Sequence, residues 1–320
     1  SSSAASDVYK RQALGLTTLT GNATSPLWMR DVQISPDGTE IAFCYKGDIY
    51  KVSAGGGTAI QLTTQPSYEC TPIWSPDSKQ IAFASDRNGN FDIFVMPATG
   101  GTAQRLTTHS SSELPSAFTP DGKYILFSAS IQDPSQSALF PTTAMTELYK
   151  VPVNGGRTEQ VLGTPAEAIC YAPSGEFFLY QDRKGFEDEW RKHHTSSITR
   201  DIWLYDTKTG KHTNLTNHAG EDRNPVLSPD GKSVYLLSER KGSFNVYSFP
   251  LDNAQDLKAV TSFKTHPVRF LSMSHGGTLC YAYDGEIYTQ KDNATPQKIN
   301  IDIVRDDPVS YTHLRAHATT

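Results

Sequence analysis

The stretch IWSPDSKQIAFASDRNGNFDIFVM, residues 73–96, decides the fold because imperfect copies of it recur along the whole chain. Its turn SPDS has the counterparts SPDG, TPDG, APSG and SHGG, each followed by an apolar run such as QIAFAS. The second residues of these turns are Pro36, Pro76, Pro120, Pro173, Pro229 and His275. Their spacing of 40 to 56 residues identifies six internal repeats, each of the length of one supersecondary unit.

Each repeat contains about four short runs rich in Val, Ile, Phe, Tyr and Thr and separated by Gly, Pro and Asp, which is typical of consecutive antiparallel strands. In SPDG, proline suits the first corner of a type I turn and glycine the left-handed position after it, so the flanking runs form a hairpin. Repeats of this length with four strands indicate propeller blades. The sequence therefore predicts an all-β fold, a six-bladed β-propeller of four-stranded antiparallel blades over residues 25–307.

The turn positions divide this propeller into blades at about 25–64, 65–108, 109–164, 165–217, 218–263 and 264–307. A blade of roughly 45 residues cannot bury both of its faces alone, so the closed ring is expected to unfold as one unit.

Both ends of the chain depart from the repeat. Residues 1–12 and 308–320 are interpreted as non-native, adaptor-like tails, which would make the chain a fragment of a longer protein. Residues 13–24 admit two interpretations. The favoured one is a signal-peptide remnant, with the small residues Gly21 and Ala23 at cleavage-site spacing; the other is an outer strand of the last blade, since GLTTLT imitates the closing strands QLTT and RLTT. Under the first, the ring closes by packing alone.

Bulk composition excludes several classes of function. The formal net charge is −5, and no basic stripe with interleaved aromatic residues supports nucleic-acid binding. No apolar run approaches the length of a membrane span. Cys44, Cys70, Cys170 and Cys280 lack the spacing of a metal or redox site and are expected to be buried free thiols.

Compact catalytic signatures are also missing. The sequence has no GxSxG elbow, no HExxH motif and no Walker loop, so we assign no catalytic residue, metal or cofactor to this chain.

Two insertions, residues 129–146 and 182–199, are the best candidates for a binding surface. Both fall between the second and third strands of adjacent blades, so they should emerge on one rim, opposite the SPDG turns. The candidate binding residues in the second insertion are Arg183, Glu187, Trp190, Arg191, His193 and His194. The competing interpretation is a solvated, salt-bridged loop, and the adjacent histidines lack the spacing of metal ligands.

Two further recurrences favour scaffolding roles. Acid–arginine pairs follow the second strand at Asp86–Arg87, Asp182–Arg183 and Glu239–Arg240, where the arginine can bind turn carbonyls or an acid of the neighbouring blade. Trp28, Trp74 and Trp203 fall at strand positions and are expected to pack in the core.

The repeat resembles the WD-like repeats of TolB-type propellers through Pro72, Trp74, Ser75, Pro76, Asp77, Ile81, Ala82, Phe83, Asp86, Arg87, Gly89, Asp92 and Ile93. Residues 25–57 and 182–206 are similar to the amino-terminal six-bladed propeller of bacterial tricorn-type serine peptidases. In that family a signal peptide and propeller precede a PDZ module and a peptidase core, neither of which matches any segment here.

The resemblance implies a noncatalytic propeller from a periplasmic or secreted bacterial serine peptidase. Its partners would be peptides or unfolded polypeptide and the downstream PDZ and peptidase domains of the parent chain, with no nucleic acid and no membrane span. The alternative is a TolB-like periplasmic interaction propeller with no attached enzyme. A prolyl-oligopeptidase-like cap is less favoured, since those rings generally have more blades.

Overall fold

Six four-stranded antiparallel sheets make up the protein in the computed structural model, which describes residues 26–131, 145–185, 195–291 and 294–304. In each sheet the four strands follow one another in chain order. The innermost strand of each blade contacts those of the blades before and after it, and that of the sixth contacts the first, so the blades form a closed ring. The predicted all-β fold, a six-bladed β-propeller, is confirmed.

The strands of the first three blades have the following bounds. Blade 1 consists of β1 (Arg30–Ile34), β2 (Glu40–Tyr45), β3 (Asp48–Ser53) and β5 (Ile60–Gln61), with the two-residue β4 (Gly57–Thr58) between the last two. Blade 2 consists of β6 (Glu69–Trp74), β7 (Gln80–Ser85), β8 (Asp92–Pro97) and β9 (Gln104–Arg105). Blade 3 consists of β10 (Leu114–Phe118), β11 (Tyr124–Ala129), β12 (Glu147–Pro152) and β13 (Glu159–Leu162).

The second half of the ring repeats the same plan. Blade 4 consists of β14 (Glu167–Tyr171), β15 (Phe177–Gln181), β16 (Ile202–Asp206) and β17 (His212–Asn214). Blade 5 consists of β18 (Asp222–Leu227), β19 (Ser233–Ser238), β20 (Asn245–Pro250) and β21 (Lys258–Ala259). Blade 6 consists of β22 (Arg269–Met273), β23 (Leu279–Tyr283), β24 (Glu286–Gln290) and β25 (Gln297–Lys298), followed by β26 (Ile301–Asp302).

The hydrophobic core is divided into six clusters, one at each interface between neighbouring blades. The second strands contribute to both sides: within β7, Ile81 and Phe83 face blade 1 while Ala82 faces blade 3. All three are fully buried. Apolar residues on both faces of a strand therefore follow from a blade being covered on both sides.

The SPDG turn is held by its own side chains. The Ser35 hydroxyl donates to Asp37 Oδ1 at 2.6 Å, and the same oxygen accepts the Thr39 backbone N–H at 3.0 Å. These hydrogen bonds hold the pKa of Asp37 below its usual range, and the one from Ser35 has the largest effect. Gly38 takes a left-handed φ of 76°. Serine donates a hydrogen bond, aspartate accepts hydrogen bonds and glycine takes the left-handed position, so the same short sequence forms the same turn wherever it recurs.

Each innermost strand carries a one-residue β-bulge, five residues before the second residue of its turn. In five blades the residue there has a left-handed φ of 48° to 58°: Asp31, Thr71, Ala168, Asn224 and Phe270. Blade 3 has Pro115 at this position, whose ring fixes φ at a negative value. A bulge bends its strand and redirects side chains, and here it does so beside the ring axis.

The ring is joined by backbone hydrogen bonds as well as by packing. Strand β26 pairs in parallel with β4, and the Gly57 N–H donates to the Asn300 carbonyl at 2.9 Å. Across the same junction the Trp28 N–H donates to the Gly285 carbonyl at 2.9 Å. The expectation that the ring closes by packing alone is therefore wrong, because the chain continues past blade 6 and reaches the outer edge of blade 1.

The three strand tryptophans differ in burial. Trp74 is buried, and its indole N–H donates to the Gln33 carbonyl of blade 1 at 3.0 Å. Trp203 is half-buried, and its indole N–H donates to Asp182 Oδ2 at 3.1 Å. Trp28 is 71% exposed with a φ of 69°, so its predicted core position is wrong. It precedes β1 at the blade 6 junction, where backbone rather than side chain makes the contact.

The four cysteines are free, with Cys44 and Cys280 buried and the other two partly buried. Burial raises the pKa of Cys70 to about 12 and that of Cys170 to about 11, so both are thiols at neutral pH. The described residues contain no helix that is long and apolar enough to cross a membrane.

Candidate functional site in the central channel

Both insertions lie between the second and third strands, in blades 3 and 4 respectively. They leave their blades on the rim opposite the SPDG turns, which we call the insertion rim. Of the predicted binding residues, Arg183 is described, whereas Glu187, Trp190, Arg191, His193 and His194 lie outside the described residues. Over the described ranges there is also no cluster of three His, Cys, Asp or Glu side chains suited to a metal ion.

Arg183 is engaged within its own blade. Its Nη1 lies 3.1 Å from Glu167 Oε1 on β14, and its Nε donates to the Gly185 carbonyl at 3.4 Å. Arg87 and Arg240 likewise reach acids at the start of their own innermost strands, Glu69 and Asp222, each at 2.8 Å. The recurrent arginines therefore brace their own blades, and the acid bound is not that of the neighbouring blade.

The preceding acids have a separate task. Asp86 accepts the Tyr68 backbone N–H at 2.7 Å, and Asp182 accepts that of Asp201 at 2.7 Å. Burial raises the pKa of Asp182 despite the hydrogen bond from the Asp201 backbone. Each acid–arginine pair thus fastens one loop at the insertion rim, which supports the scaffolding role that the recurrence predicts.

A cavity of about 340 Å³ lies on the ring axis at the level of the bulges, and we call it the upper cavity. All six bulge positions line it: Asp31, Thr71, Pro115, Ala168, Asn224 and Phe270. Its wall therefore presents a carboxylate, a hydroxyl, an amide and a phenyl ring at one height. The Asn224 backbone N–H donates to Gln181 Oε1 of blade 4 at 3.0 Å, and the Thr71 backbone N–H donates to Asp31 Oδ2 of blade 1 at 3.1 Å.

A second axial cavity of about 470 Å³, the lower cavity, lies toward the SPDG turns. The second residue of every turn lines it: Pro36, Pro76, Pro120, Pro173, Pro229 and His275. The two cavities share residues from all six blades, namely Gln33, Ile73, Ser116, Ile169, Cys170, Leu227 and Met273. They therefore lie end to end and form one passage along the axis, which we call the channel.

The channel has no single chemical character. The turn end is rimmed by proline rings, which are apolar and carry no backbone N–H. The middle offers Gln33 and Ser116 beside Ile73 and Met273. Short polar groups among apolar ones suit an extended chain of varied sequence, because they can bind backbone amides without selecting one side chain.

The insertion end of the channel is bordered by arginines. A side cavity of about 160 Å³ shares Asp31, Asn224 and Phe270 with the upper cavity and is also lined by Arg200, Arg223 and Arg269. Arg200 Nη1 lies 2.6 Å from Glu221 Oε1, and Arg223 Nε hydrogen-bonds to the same oxygen. Burial alone would raise the pKa of Glu221, but the two arginines outweigh it and hold that pKa below its usual range. Glu221 is therefore a stable anion that positions both arginines.

Sequence reasoning placed the site on the insertions and missed the channel wall. The signal was present, because the six bulge residues stand at one fixed offset before the turn. Their residue types differ in every blade, so a search for repeated chemistry passes over them. These residues are related only by the bulge, which directs all six of them toward the ring axis.

Comparison with known proteins agrees with this architecture. The sequence profile of the tricorn protease N-terminal β-propeller domain matches residues 10–296. Among solved structures, the tricorn protease superposes with a TM-score of 0.75 at 21% identity, covering 88% of this chain and 27% of that one. TolB from Acinetobacter baumannii superposes with a TM-score of 0.61 at 19% identity, covering 93% and 70%. At these identities both likenesses concern the fold.

Curated relatives match shorter stretches. An uncharacterized protein of Agrobacterium fabrum (strain C58 / ATCC 33970), Atu1656, is 31% identical over 146 residues, which is 44% of this chain and 44% of that protein. The uncharacterized peptidase YuxL of Bacillus subtilis (strain 168) is 32% identical over 72 residues, which is 22% and 10%. The chain therefore spans less than half the length of the curated relatives it matches.

Proposed function

Because the chain belongs to the family of tricorn protease N-terminal β-propeller domains, we propose that it is a noncatalytic domain that guides or selects unfolded peptides for a serine peptidase core. The observation that carries this proposal is the channel, whose two cavities share wall residues from all six blades. We expect a passage bounded by six separate strands to admit an extended chain and to exclude a folded domain. By excluding folded domains through its shape, the channel would select unfolded peptides without any catalytic residue.

The parent protein is the second part of the proposal. We propose that it is a periplasmic or secreted bacterial peptidase in which a PDZ module and a serine peptidase core accompany this propeller. Support comes from the family, and the signal-peptide remnant at residues 13–24 stays a prediction. The propeller itself should then cleave no peptide, and proteolysis should require the core.

Binding of unfolded chain can be measured with fluorescein-labelled α-lactalbumin, in its reduced, carboxymethylated and unfolded form and in its native form. We expect fluorescence anisotropy to show binding of the unfolded form only. Filling the channel with Gln33→Trp should weaken that binding about tenfold, since Gln33 lines both cavities. Its backbone carbonyl, which accepts the Trp74 indole, is unaffected by the substitution.

Gln33→Ala is the matched control, because it alters the same position without filling the passage. It should bind the unfolded form within a factor of about two of the wild type. Equal binding by the tryptophan and alanine variants, or equal binding of folded and unfolded protein, would contradict the proposal.

The second candidate, an interaction propeller with no attached enzyme, is favoured by the TolB likeness, which covers 93% of this chain. Such a propeller would bind a folded partner through a rim rather than through the channel. Binding of native α-lactalbumin would not test this, but pull-down of a folded envelope protein that is insensitive to Gln33→Trp would favour it. Filling of the channel thus distinguishes the candidates, because it should weaken binding for the first and leave binding unchanged for the second.

A further inference from the structure

The lower cavity, at the turn end of the channel, has a largely apolar wall. Among the described residues, none of those that line it is an aspartate, glutamate, lysine or arginine. Five blades each contribute a proline ring, and Ile73, Trp74, Phe118 and Met273 are also part of this wall. The wall of the upper cavity, in contrast, includes the carboxylate of Asp31. The channel is therefore less polar at its turn end.

The turns keep their own carboxylates out of this wall. In four turns an aspartate directly follows the lining proline, yet its carboxylate accepts a hydrogen bond from the first residue of the same turn. The distance between the two oxygens is 2.6 Å in each case: Ser35–Asp37, Ser75–Asp77, Thr119–Asp121 and Ser228–Asp230. These hydrogen bonds hold the pKa of all four aspartates below the usual range. The aspartates are therefore anions bound within their turns, and none of them lines the cavity.

Several polar side chains of the lower wall already have partners. The Ser116 hydroxyl accepts the Ile169 backbone N–H at 2.8 Å, and the Trp74 indole N–H donates to the Gln33 carbonyl at 3.0 Å. The Ser274 hydroxyl accepts a backbone N–H of its own turn at 3.1 Å. Because these groups are bound within the protein, they do not require a polar ligand.

The other polar side chains are neutral or lie toward the ends of the cavity. Gln33 is shared with the upper cavity, and His275 is exposed in its turn. Burial raises the pKa of Tyr171 to about 12 and that of Cys170 to about 11, so both groups are uncharged at neutral pH. A ligand in the middle of the lower cavity would therefore contact mainly apolar, uncharged surface.

We propose that the lower cavity binds one large apolar side chain, such as that of phenylalanine, from the unfolded chain that occupies the channel. Its volume of about 470 Å³ lies within the range of ligand pockets, about 300–1,000 Å³. Large apolar residues are mostly buried in folded proteins, so the cavity would recognise a chemical property that unfolding exposes. The inference rests on the proposed function, because the cavity is part of the channel.

The test compares acetyl-Gly-Ser-Gly-Phe-Gly-Ser-Gly-amide with the same peptide carrying serine in place of phenylalanine, in calorimetric titrations of the whole chain. Both peptides are uncharged and too short to fold, so they differ only in the one side chain. We expect the phenylalanine peptide to bind at least about tenfold more tightly. Equal binding of the two peptides, or no binding by the phenylalanine peptide, would overturn the inference.

Pro173→Asp locates the bound side chain, because it introduces a carboxylate into the wall of the cavity. It should weaken binding of the phenylalanine peptide about tenfold, since burial beside a charge is unfavourable. Ser174→Asp is the matched control. It adds the same charge at the next residue, which does not line the cavity and is aspartate in four other turns, and binding should stay within a factor of about two. Equal effects of the two variants would also overturn the inference.

Failure of this inference can be distinguished from failure of the proposed function. If the two peptides bind equally while Gln33→Trp still weakens binding of unfolded α-lactalbumin, the proposed function stands and only the inference fails. If neither the peptides nor unfolded α-lactalbumin bind, both fail. Should Pro173→Asp not fold, as judged by circular dichroism, the two peptides with the wild type decide the question alone.

Discussion

At the scale of single residues, buried acids at the start of the innermost strands distinguish the blades. Glu69, Asp222 and Glu113 occupy corresponding positions and are buried, but only the first two have an arginine of their own blade. Removing one member of a buried pair costs more than the pair contributes, because the remaining charge is left in a medium of low polarity. Blades 2 and 5 should thus be sensitive to loss of their arginine.

Arg87→Met tests this sensitivity while keeping the apolar stem over Phe94. Because fully buried Glu69 would lose its counter-charge, we expect the free energy of unfolding to fall by about 2–4 kcal/mol in denaturant titrations. Lys208→Met, which removes an exposed pair with Glu176, is the control and should leave the stability unchanged. An Arg87→Met protein as stable as the wild type would show that the brace contributes nothing.

Glu113 should make stability depend on pH in the opposite sense to an ordinary paired acid. The folded protein holds this proton up to a pH of about 7, whereas the unfolded chain releases it near 4.5. The free energy of unfolding should therefore fall as the pH rises between these values, by up to about 1.4 kcal/mol per pH unit relative to Glu113→Gln. Urea titrations from pH 4.5 to 8 measure the difference.

Glu159→Gln, at an exposed carboxyl of the same blade that pairs with Lys150, is the control and should keep the wild-type slope. A Glu113→Gln protein that follows the wild-type profile in parallel would show that Glu113 titrates as an ordinary surface acid.

At the scale of elements, the bulge of the innermost strand is the feature that builds the channel wall. Its left-handed residue is not glycine in any of the five blades that have one. A left-handed conformation costs Thr71, Ala168 and Phe270 about 1–2 kcal/mol each, whereas aspartate and asparagine adopt it more readily. The same left-handed conformation occurs in five blades around the ring axis. Strained backbone often occurs at functional sites, so its position along the axis favours the proposed role of the channel wall.

Ala168→Gly tests the strain directly, since Ala168 has a φ of 49° and the change removes only a methyl group. We expect stability to be unchanged or to rise by about 1 kcal/mol. Ala82→Gly, in the buried and extended β7, should instead lose about 1 kcal/mol. Thermal unfolding of the two variants side by side makes the comparison, and equal losses would argue against strain at the bulge.

The junction between blades 6 and 1 depends on a close backbone approach at Gly56. A Cβ on Gly56 would lie 2.6 Å from the Asn300 carbonyl oxygen, so alanine there should separate β26 from β4. Gly100 holds the corresponding turn position of blade 2 with nearly the same φ, 87° against 91°, and its Cβ would meet only Leu62 at 3.6 Å.

We therefore expect Gly56→Ala to be less stable than Gly100→Ala by about 1–3 kcal/mol, the excess being the clash at the junction. Hydrogen exchange should also show faster exchange at Gly57 and Ala59, whose N–H groups donate across it. Equal stability of the two variants would mean that the ring does not depend on this pairing.

At the scale of the whole molecule, the repeat was sufficient to predict the ring. Turn chemistry, strand count and apolar faces all follow from local rules that SPDG and its neighbouring runs obey, so the fold class was accessible from the sequence. The closing pair β26–β4 was not, because the alternation in KINIDI, residues 298–303, predicts a strand but does not identify the strand with which it pairs. The exposure of Trp28 was missed for a related reason. Its position in the repeat predicts a strand, but it does not predict whether the side chain is buried at the junction between blades 6 and 1.

The channel wall could not be predicted from the sequence because its residues differ in type from blade to blade. Asp31, Pro115 and Phe270 share a place in the ring but no chemistry, and only the bulge brings them to the axis. Comparing corresponding positions across blades, with the strand register as the guide, recovers these residues.

The proposal that an unfolded chain binds in the channel is tested most directly by locating the bound chain. Placing the photo-reactive residue p-benzoylphenylalanine at Met273, which lines both cavities, and separately at Lys208 on the exposed turn of blade 4, allows cross-linking to labelled carboxymethylated α-lactalbumin. We expect a strong cross-link from position 273 and almost none from position 208. Cross-linking from 208 but not from 273 would contradict the proposal, because the unfolded chain would then bind the outside of the ring.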